Sequence, residues 1–321
     1  MRSTTATTSI PPTQFGSKRY RTWNTYLQDR FGHKVFKVML DGGFVCPNRD
    51  GTVAQGGCTF CSKRGSGDFA GLRKDDLVRQ FNEIKVRQHE KWKSGKYIGY
   101  FQAFSNTYAP VEELREKYQV ILEQEGVVGL SIATRPDCLP DDVVDYLAEL
   151  NERTYLWLEL GLQSAHERTA ERINRAHDFQ CYKDGVNKLR SHGIRVCTHI
   201  INGLPGEDHA MMMDTARAVA DLDVQGIKIH LLHLLKKTPL VKEYEAGEFS
   251  LMEKDEYVKI VCDQLEVLPP DMVIHRLTGD GGRDQLIGPL WSLKKWEVLN
   301  AIDWALEARE SWQGKRYKEK A

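Results

Sequence analysis

The chain has 321 residues, enough for one large α/β domain or two small ones, and 45 lysines and arginines balance 45 aspartates and glutamates. Overall charge therefore neither requires nor excludes a polyanionic partner. No apolar run approaches the roughly 18 residues of a membrane span and no charged-then-apolar secretory start is visible, which points to a cytoplasmic protein with no membrane partner.

Taken in chain order, the Thr/Ser-rich, acid-free start reads as a frayed terminus over residues 1–18 rather than a transit peptide. A basic aromatic segment, Phe15 to Phe31, overlaps its end. Up to Lys37 the chain carries Arg2, Lys18, Arg19, Arg21, Arg30, Lys34 and Lys37 against one acid, Asp29. Two readings fit this segment. Its cations and the rings of Phe15, Tyr20, Trp23 and Tyr26 could hold unpaired RNA, or it could be a strap closing a barrel edge with its charges in water.

From there short apolar runs alternate with longer amphipathic ones, the pattern of βα repetition and a parallel sheet or barrel. Strands are predicted near Val35 to Leu40, Tyr97 to Ala103, Val127 to Ala133, Tyr155 to Leu160, Ile194 to Ile201 and Gly226 to Leu232. Helices fall near Lys74 to Trp92, Val111 to Glu123, Pro140 to Leu150, Phe179 to His192, Glu207 to Leu222 and Glu253 to Leu265. The tail adds a strand, Met272 to Leu277, a glycine-rich loop and an amphipathic helix from Pro289 to Arg309. The expected organisation is a flexible terminus (1–18), a partial barrel core (19–240) and an extension packed on it (241–321).

Alternation within strands assigns faces. Leu156, Leu158, Leu160 and Leu162 form one face, suited to helices, and Trp157, Glu159, Gly161 and Gln163 the other, suited to a lumen. By the same rule Lys228 and His230 face inward, opposite Ile227, Ile229 and Leu231. Ligands of α/β barrels bind at the carboxyl ends of the strands, so Gln163 should reach the mouth.

The chemistry concentrates after the first strand, where Cys46, Cys58 and Cys61 lie on one loop with eleven and two residues between them. Gly51, Gly56 and Gly57 let the backbone fold back so that Cys46 joins the Cys58/Cys61 pair. Three thiolates suit an iron-sulfur cluster with one iron left open; a structural zinc site completed by a histidine such as His33, and unpaired core cysteines, are the alternatives.

The loop and several downstream strings resemble the Elongator-type branch of the radical S-adenosylmethionine (SAM) superfamily, and most closely its YtqA/YhcC group, over roughly Arg19 to Arg309. The matching strings are Tyr100-Phe-Gln-Ala-Phe-Ser-Asn-Thr-Tyr108, Thr134-Arg-Pro-Asp137, Glu159-Leu-Gly-Leu-Gln-Ser164, Arg175-Ala-His177, Gly203-Leu-Pro-Gly206 and His275-Arg-Leu-Thr-Gly-Asp280. The resemblance implies an α/β fold, a radical SAM partial (β/α)6 barrel with a C-terminal α/β extension. It implies that Cys46, Cys58 and Cys61 bind a 4Fe-4S cluster, that SAM chelates the fourth iron, and that one electron from a donor such as flavodoxin or ferredoxin yields a 5′-deoxyadenosyl radical.

For SAM the resemblance and strand geometry together nominate Gln163 and Ser164 at the fourth strand end, Arg175 for the carboxylate, Gly203 beneath adenine, and Lys228 in the lumen. The usual Gly-Gly-Glu string after the second strand is replaced by Ser105-Asn106-Thr107, which puts Asn106 in the place that holds the SAM amino group. The substrate implied is the wobble uridine of tRNA, converted from a carboxymethylaminomethyl to an aminomethyl form. A small-molecule or protein substrate is the alternative, and a non-catalytic zinc module a remote one. No acetyltransferase segment is read in the sequence, so acyl transfer is not expected. Cys138, Cys181, Cys197 and Cys262 are assigned no role.

Protein reconstituted anaerobically with iron and sulfide is expected to gain visible thiolate-iron absorption and to release 5′-deoxyadenosine from SAM with a reductant. Alanine at Cys46, Cys58 or Cys61 should abolish both, whereas alanine at Cys181 or Cys262 should leave iron content intact. One equivalent of zinc with no iron uptake would refute the cluster.

Overall fold

Short caps decide where the amphipathic runs become helices. The computed structural model describes residues 12–65, 67–279 and 281–318. Asp76, Asp178 and Asp208 each accept a hydrogen bond from the backbone N–H three residues on, and so set the first turns of three helices. The helices are α1 (Trp23–Phe31), α2 (Pro47–Asp50), α3 (Leu77–His89), α4 (Val111–Leu122), α5 (Asp141–Arg153), α6 (Glu167–Arg172), α7 (Phe179–Ser191), α8 (His209–Ala220), α9 (Leu240–Glu245), α10 (Lys254–Val267) and α11 (Lys295–Ala308). The strands are β1 (Val35–Leu40), β2 (Lys96–Phe101), β3 (Val127–Thr134), β4 (Tyr155–Gln163), β5 (Arg195–Asn202), β6 (Gly226–Leu231), β7 (Leu234–Leu235), β8 (Val273–Arg276) and β9 (Leu286–Gly288).

One sheet runs β1-β2-β3-β4-β5-β6-β8 with every pair parallel, and β7 and β9 form a small antiparallel ladder beside it. This corrects the sequence reading in one respect. Six strands were expected in the barrel and the 272–277 segment in the extension, but β8 pairs with β6 and is a seventh barrel strand. The line drawn at residue 240 therefore crosses the sheet rather than bounding it.

The strand faces fall as alternation requires. Leu156, Leu158, Leu160 and Leu162 are fully buried in the helix-facing core, and Trp157 and Glu159 point into the lumen. The sheet is curled because side chains from both ends of its strand order reach one group. The Glu159 carboxylate on β4 accepts hydrogen bonds from Lys37 on β1, Ser131 on β3 and Lys228 on β6, and pairs with His199 on β5 at 2.7 Å. Lys228 also donates to Tyr100 on β2 at 2.9 Å, and His275 on β8 stands 4.0 Å from the carboxylate.

Below this layer the amino end of the barrel is closed by rings. Trp23 of α1 lies 3.9 Å from His275 and 5.3 Å from Trp157, centroid to centroid. The basic aromatic segment leading into α1 packs against the C-terminal segment as a strap, with its cations bonded to protein rather than left in water. Lys18 pairs with Asp303 on α11, and Arg19 and Arg21 donate to the carbonyls of Ser311 and Asp271. Phe15 is fully buried and Thr22 bridges to Ile274. Of the terminus expected to be frayed, residues 12–18 thus pack on the C-terminal segment, and residues 1–11 lie outside the described residues.

Glu159 is 1% exposed and its neighbours hold its pKa well below the ordinary 4.5, Lys228 and Lys37 outweighing the cost of burial. Glu159→Ala strands two lysines and is expected to cost about 3–5 kcal/mol in urea unfolding. Because the folded pKa is depressed, the carboxylate's contribution is complete above the unfolded value and disappears as pH falls through the folded one. The stability gap between wild type and Glu159→Gln should therefore narrow only below about pH 4.5.

Candidate active site

The loop after β1 is built around Cys46. This residue caps α2, whose first position is Pro47, and its carbonyl accepts the N–H of Arg49 at 2.8 Å. Gly57 then turns the chain back with φ +80°, where an added Cβ would stand 2.7 Å from Arg49 Nε. Asn48, fully buried, donates to the Asn174 carbonyl at 2.6 Å and reaches Cys58 Sγ at 3.6 Å. Asn174 returns a bond to the Gly57 carbonyl at 2.9 Å, and Arg49 donates to the carbonyls of Cys61 and Ser62 at 3.2 and 2.7 Å. The three cysteines are thus fixed against the segment that follows α6.

They line one end of a cavity that spans about 980 Å³ with the solvent space at its mouth included. Gln163, Arg175, His177 and Arg135 form its upper wall; Tyr100, Glu159, His199 and Lys228 form its floor. Burial pushes the Cys58 thiol up to about 12, with repulsion from Cys61 adding to it, so this sulfur needs a cation to become a thiolate. A metal cluster supplies that charge. Cys46, Cys58 and Cys61, three soft donors around one end of the cavity, would hold an iron-sulfur cluster with one iron left without a protein ligand.

At the floor, desolvation is the dominant influence. It pushes Lys228 down to about 8 despite Glu159, and holds His199 down to about 4, a neutral imidazole. One carboxylate faces two lysines here, so the floor carries a surplus of positive charge at neutral pH.

The residues nominated for SAM separate into two groups. Gln163 lines the cavity from a left-handed backbone position (φ +61°) at a bulge, its amide folded over Gly161. Arg175 is 1% exposed; it donates to the carbonyls of Ser164 and His177, while its Nη2 has no hydrogen-bond partner and lies 3.9 Å from Glu167. Lys228 lines the floor. The other three stand behind the wall. Asn106 is fully buried and gives its amide to the Ala133 carbonyl at 2.7 Å, while its neighbour Ser105 lines the cavity. Ser164 is bonded to Glu207 and accepts the His166 N–H at 3.0 Å. Gly203 borders a separate recess with Asp208, Met252 and Glu256.

Sequence reading overlooked Asn48 and Arg49, which brace the cysteine loop, and Lys37, which completes the floor. Their positions beside the cysteine motif and within β1 gave the only cue. Arg135 forms a bidentate pair with Asp137 at 2.8 and 2.6 Å and donates to the Arg175 carbonyl at 2.7 Å, a bracing role.

Residues 46–219 match the family model for the radical SAM superfamily. The chain belongs to that superfamily. As a radical SAM protein it uses a 4Fe-4S cluster and SAM, and residues 224–308 match the superfamily's C-terminal domain. The chain is 72% identical over 298 residues to protein YtqA of Bacillus subtilis (strain 168), covering 93% of this chain and 92% of YtqA. It is 23% identical over 156 residues to the tRNA uridine(34) acetyltransferase of Methanocaldococcus jannaschii, which covers 48% of this chain and 28% of that enzyme. The fold matches that of the archaeal Methanocaldococcus infernus Elp3 with a TM-score of 0.62 at 16% identity, over 87% of this chain and 64% of that one.

Gly57→Ala adds a Cβ in a strained backbone position against Arg49, and is expected to displace Cys58 without unfolding the barrel. Iron per chain after reconstitution should fall by more than half while the melting temperature stays within a few degrees. Full iron loading in this variant would show that the turn does not position the cysteines.

Proposed function

We propose that this radical SAM protein acts in the cytoplasm on tRNA, converting the carboxymethylaminomethyl side chain of the wobble uridine to its aminomethyl form, the N–C bond being lost by oxidation at the carboxymethyl carbon and hydrolysis, with a two-carbon oxo acid as the leaving product and SAM as the two-electron oxidant. The observation that carries this reading is the cavity floor. A substrate group bearing a carboxylate would neutralise the surplus positive charge around Glu159, where Lys228 and Arg276 both line the cavity. The similarity to an enzyme named for tRNA uridine 34, the wobble position, supports the choice of substrate.

In this reading Cys46, Cys58 and Cys61 hold the cluster. When bound, the cluster and SAM supply a 5′-deoxyadenosyl radical able to remove hydrogen from substrate. The chain's own residues bind, orient and exclude water. Gln163 offers an amide at the mouth, and the unpaired Nη2 of Arg175 a charged donor toward the SAM carboxylate. Asn106, Ser164 and Gly203 act from behind, fixing the loop after β2, the end of β4 and the turn after β5. Neutral His199 and the rings of Trp157 and Trp23 seal the floor, which keeps solvent from a reactive intermediate. A one-electron donor such as flavodoxin or ferredoxin completes the set of partners.

Digested total tRNA from cells lacking the gene should accumulate the carboxymethylaminomethyl uridine and lose the aminomethyl nucleosides, as read by mass spectrometry. The intact gene should restore them and a Cys58→Ala allele should not. Identical nucleoside profiles in wild-type and deleted cells would overturn the tRNA reading.

A further inference from the structure

The strap lies at the amino end of the barrel, which Trp23, Trp157 and His275 close, so the route of RNA to the cavity lies elsewhere. A cleft opens above the lumen between two rims. Ser62, Asp68 and Phe69 line one side, continuing the cysteine loop; Leu232, His233, Leu235 and Gly279 line the other. Its base is formed by Gln102, Gln163, His199 and His230, which also line the reaction cavity, so the two spaces are continuous.

Exposed cations lie beside both rims, in the segments 62–74 and 232–237 that carry lining residues. The acids of the first segment keep their charge but are committed locally: Asp68 holds Ser62 at 3.1 Å, Asp75 pairs with Arg79 at 3.4 Å, and Asp76 caps α3. The cations meet only neutral groups. Arg64 donates to the carbonyls of Asp68 and Gly71, Arg73 to that of Gly43, and Lys236 on the opposite rim to that of Asp284 at 2.9 Å. Lys63, Lys74 and Lys237 are exposed and take no carboxylate partner among the described residues. Phe69, 45% exposed, presents an aromatic ring at the same edge.

Exposed lysines without carboxylate partners beside a cleft, with an open ring at its lip, fit an unpaired nucleic-acid strand. A base in a duplex could not descend to the lumen, whereas one from a loop can. Cations also gather at the opposite end of the barrel, at Arg30, Lys34, Lys91 and Lys93, but there Trp23, Trp157 and His275 close the floor and no base can pass.

We propose that a single-stranded RNA loop enters the barrel through this cleft, with Lys63, Lys74 and Lys237 holding its phosphates and Phe69 stacking on a base beside the one inserted. The proposal rests on the tRNA reading above and adds the surface that receives it. An acidic protein, such as a reductant, could use the cations but would have no use for the deep continuous cleft beneath them.

The test measures binding of a synthetic tRNA anticodon stem-loop to reconstituted, SAM-loaded protein at two salt concentrations. The triple variant Lys63→Gln, Lys74→Gln, Lys237→Gln should bind at least tenfold more weakly at low salt. Its salt slope should flatten by about 2, from roughly 0.7 per single-strand phosphate contact. Phe69→Ala should weaken binding about 5- to 100-fold with the slope unchanged. Lys91→Gln with Lys93→Gln should change neither, and all variants should keep their melting temperature and dithionite-driven 5′-deoxyadenosine release without RNA.

Unchanged affinity and slope in the triple variant, or loss of binding in the Lys91/Lys93 control, would overturn the proposal. So would a triple variant that binds RNA normally but cleaves SAM slowly when flavodoxin replaces dithionite, which would make the rim a docking face for the reductant. A wild-type protein that releases 5′-deoxyadenosine normally yet does not bind the stem-loop would instead refute the tRNA reading itself, and this inference with it.

Discussion

The barrel depends on one buried carboxylate. Glu159 sits in the middle of the central strand, and lysines from β1 and β6, a serine from β3 and a histidine from β5 converge on it. An ionised carboxylate without partners could not remain in such an interior, and neither could two lysines. The sheet must therefore curl until its distant strands bring their polar groups together. The same closure places Tyr100 and His275 in contact with the cluster of charges, and it separates a ring-lined floor from a polar lumen.

A second constraint operates at the mouth, where a loop rich in glycine must hold three cysteines still. Its rigidity comes from outside the loop. Asn48 and Asn174 exchange bonds across to the segment after α6, and Arg135 and Arg175 hold that segment by its carbonyls and the end of β4. Asn174 and Ala176, on either side of Arg175, both have positive φ, a conformation of this kind being kept only where surrounding bonds demand it. Cofactor site and β4 are thus one mechanical unit, with the Arg175 guanidinium at its centre.

Lys18 is neutralised by Asp303, whereas Arg19 and Arg21, like Arg64 and Lys236 at the mouth, bond to carbonyls and retain their charge. A chain with no net charge can still expose lysines beside its entrance, since Lys63, Lys74 and Lys237 take no carboxylate partner among the described residues.

The sequence by itself determined the βα order, the strand faces and the three-cysteine loop. These are local properties: alternation along Leu156 to Gln163 fixes which residues face the lumen, and three thiols within sixteen positions must lie near one another whatever the rest of the chain does. It did not determine which polar residues the lumen would bring together. Lys37 and Lys228 are far apart in the chain, and only closure of the sheet gives them a common partner. Nor could it show that Asn106, Ser164 and Gly203 stand behind the cavity wall while Ser105 lines it, since neighbouring loop residues have no fixed alternation to reveal their direction. The seventh strand was read correctly as a strand but assigned to the extension, because membership of a sheet depends on backbone pairing with a distant partner. The role of the basic strap was likewise a tertiary decision: its cations look alike in sequence, and only the positions of Asp303, Ser311 and Asp271 commit them to packing.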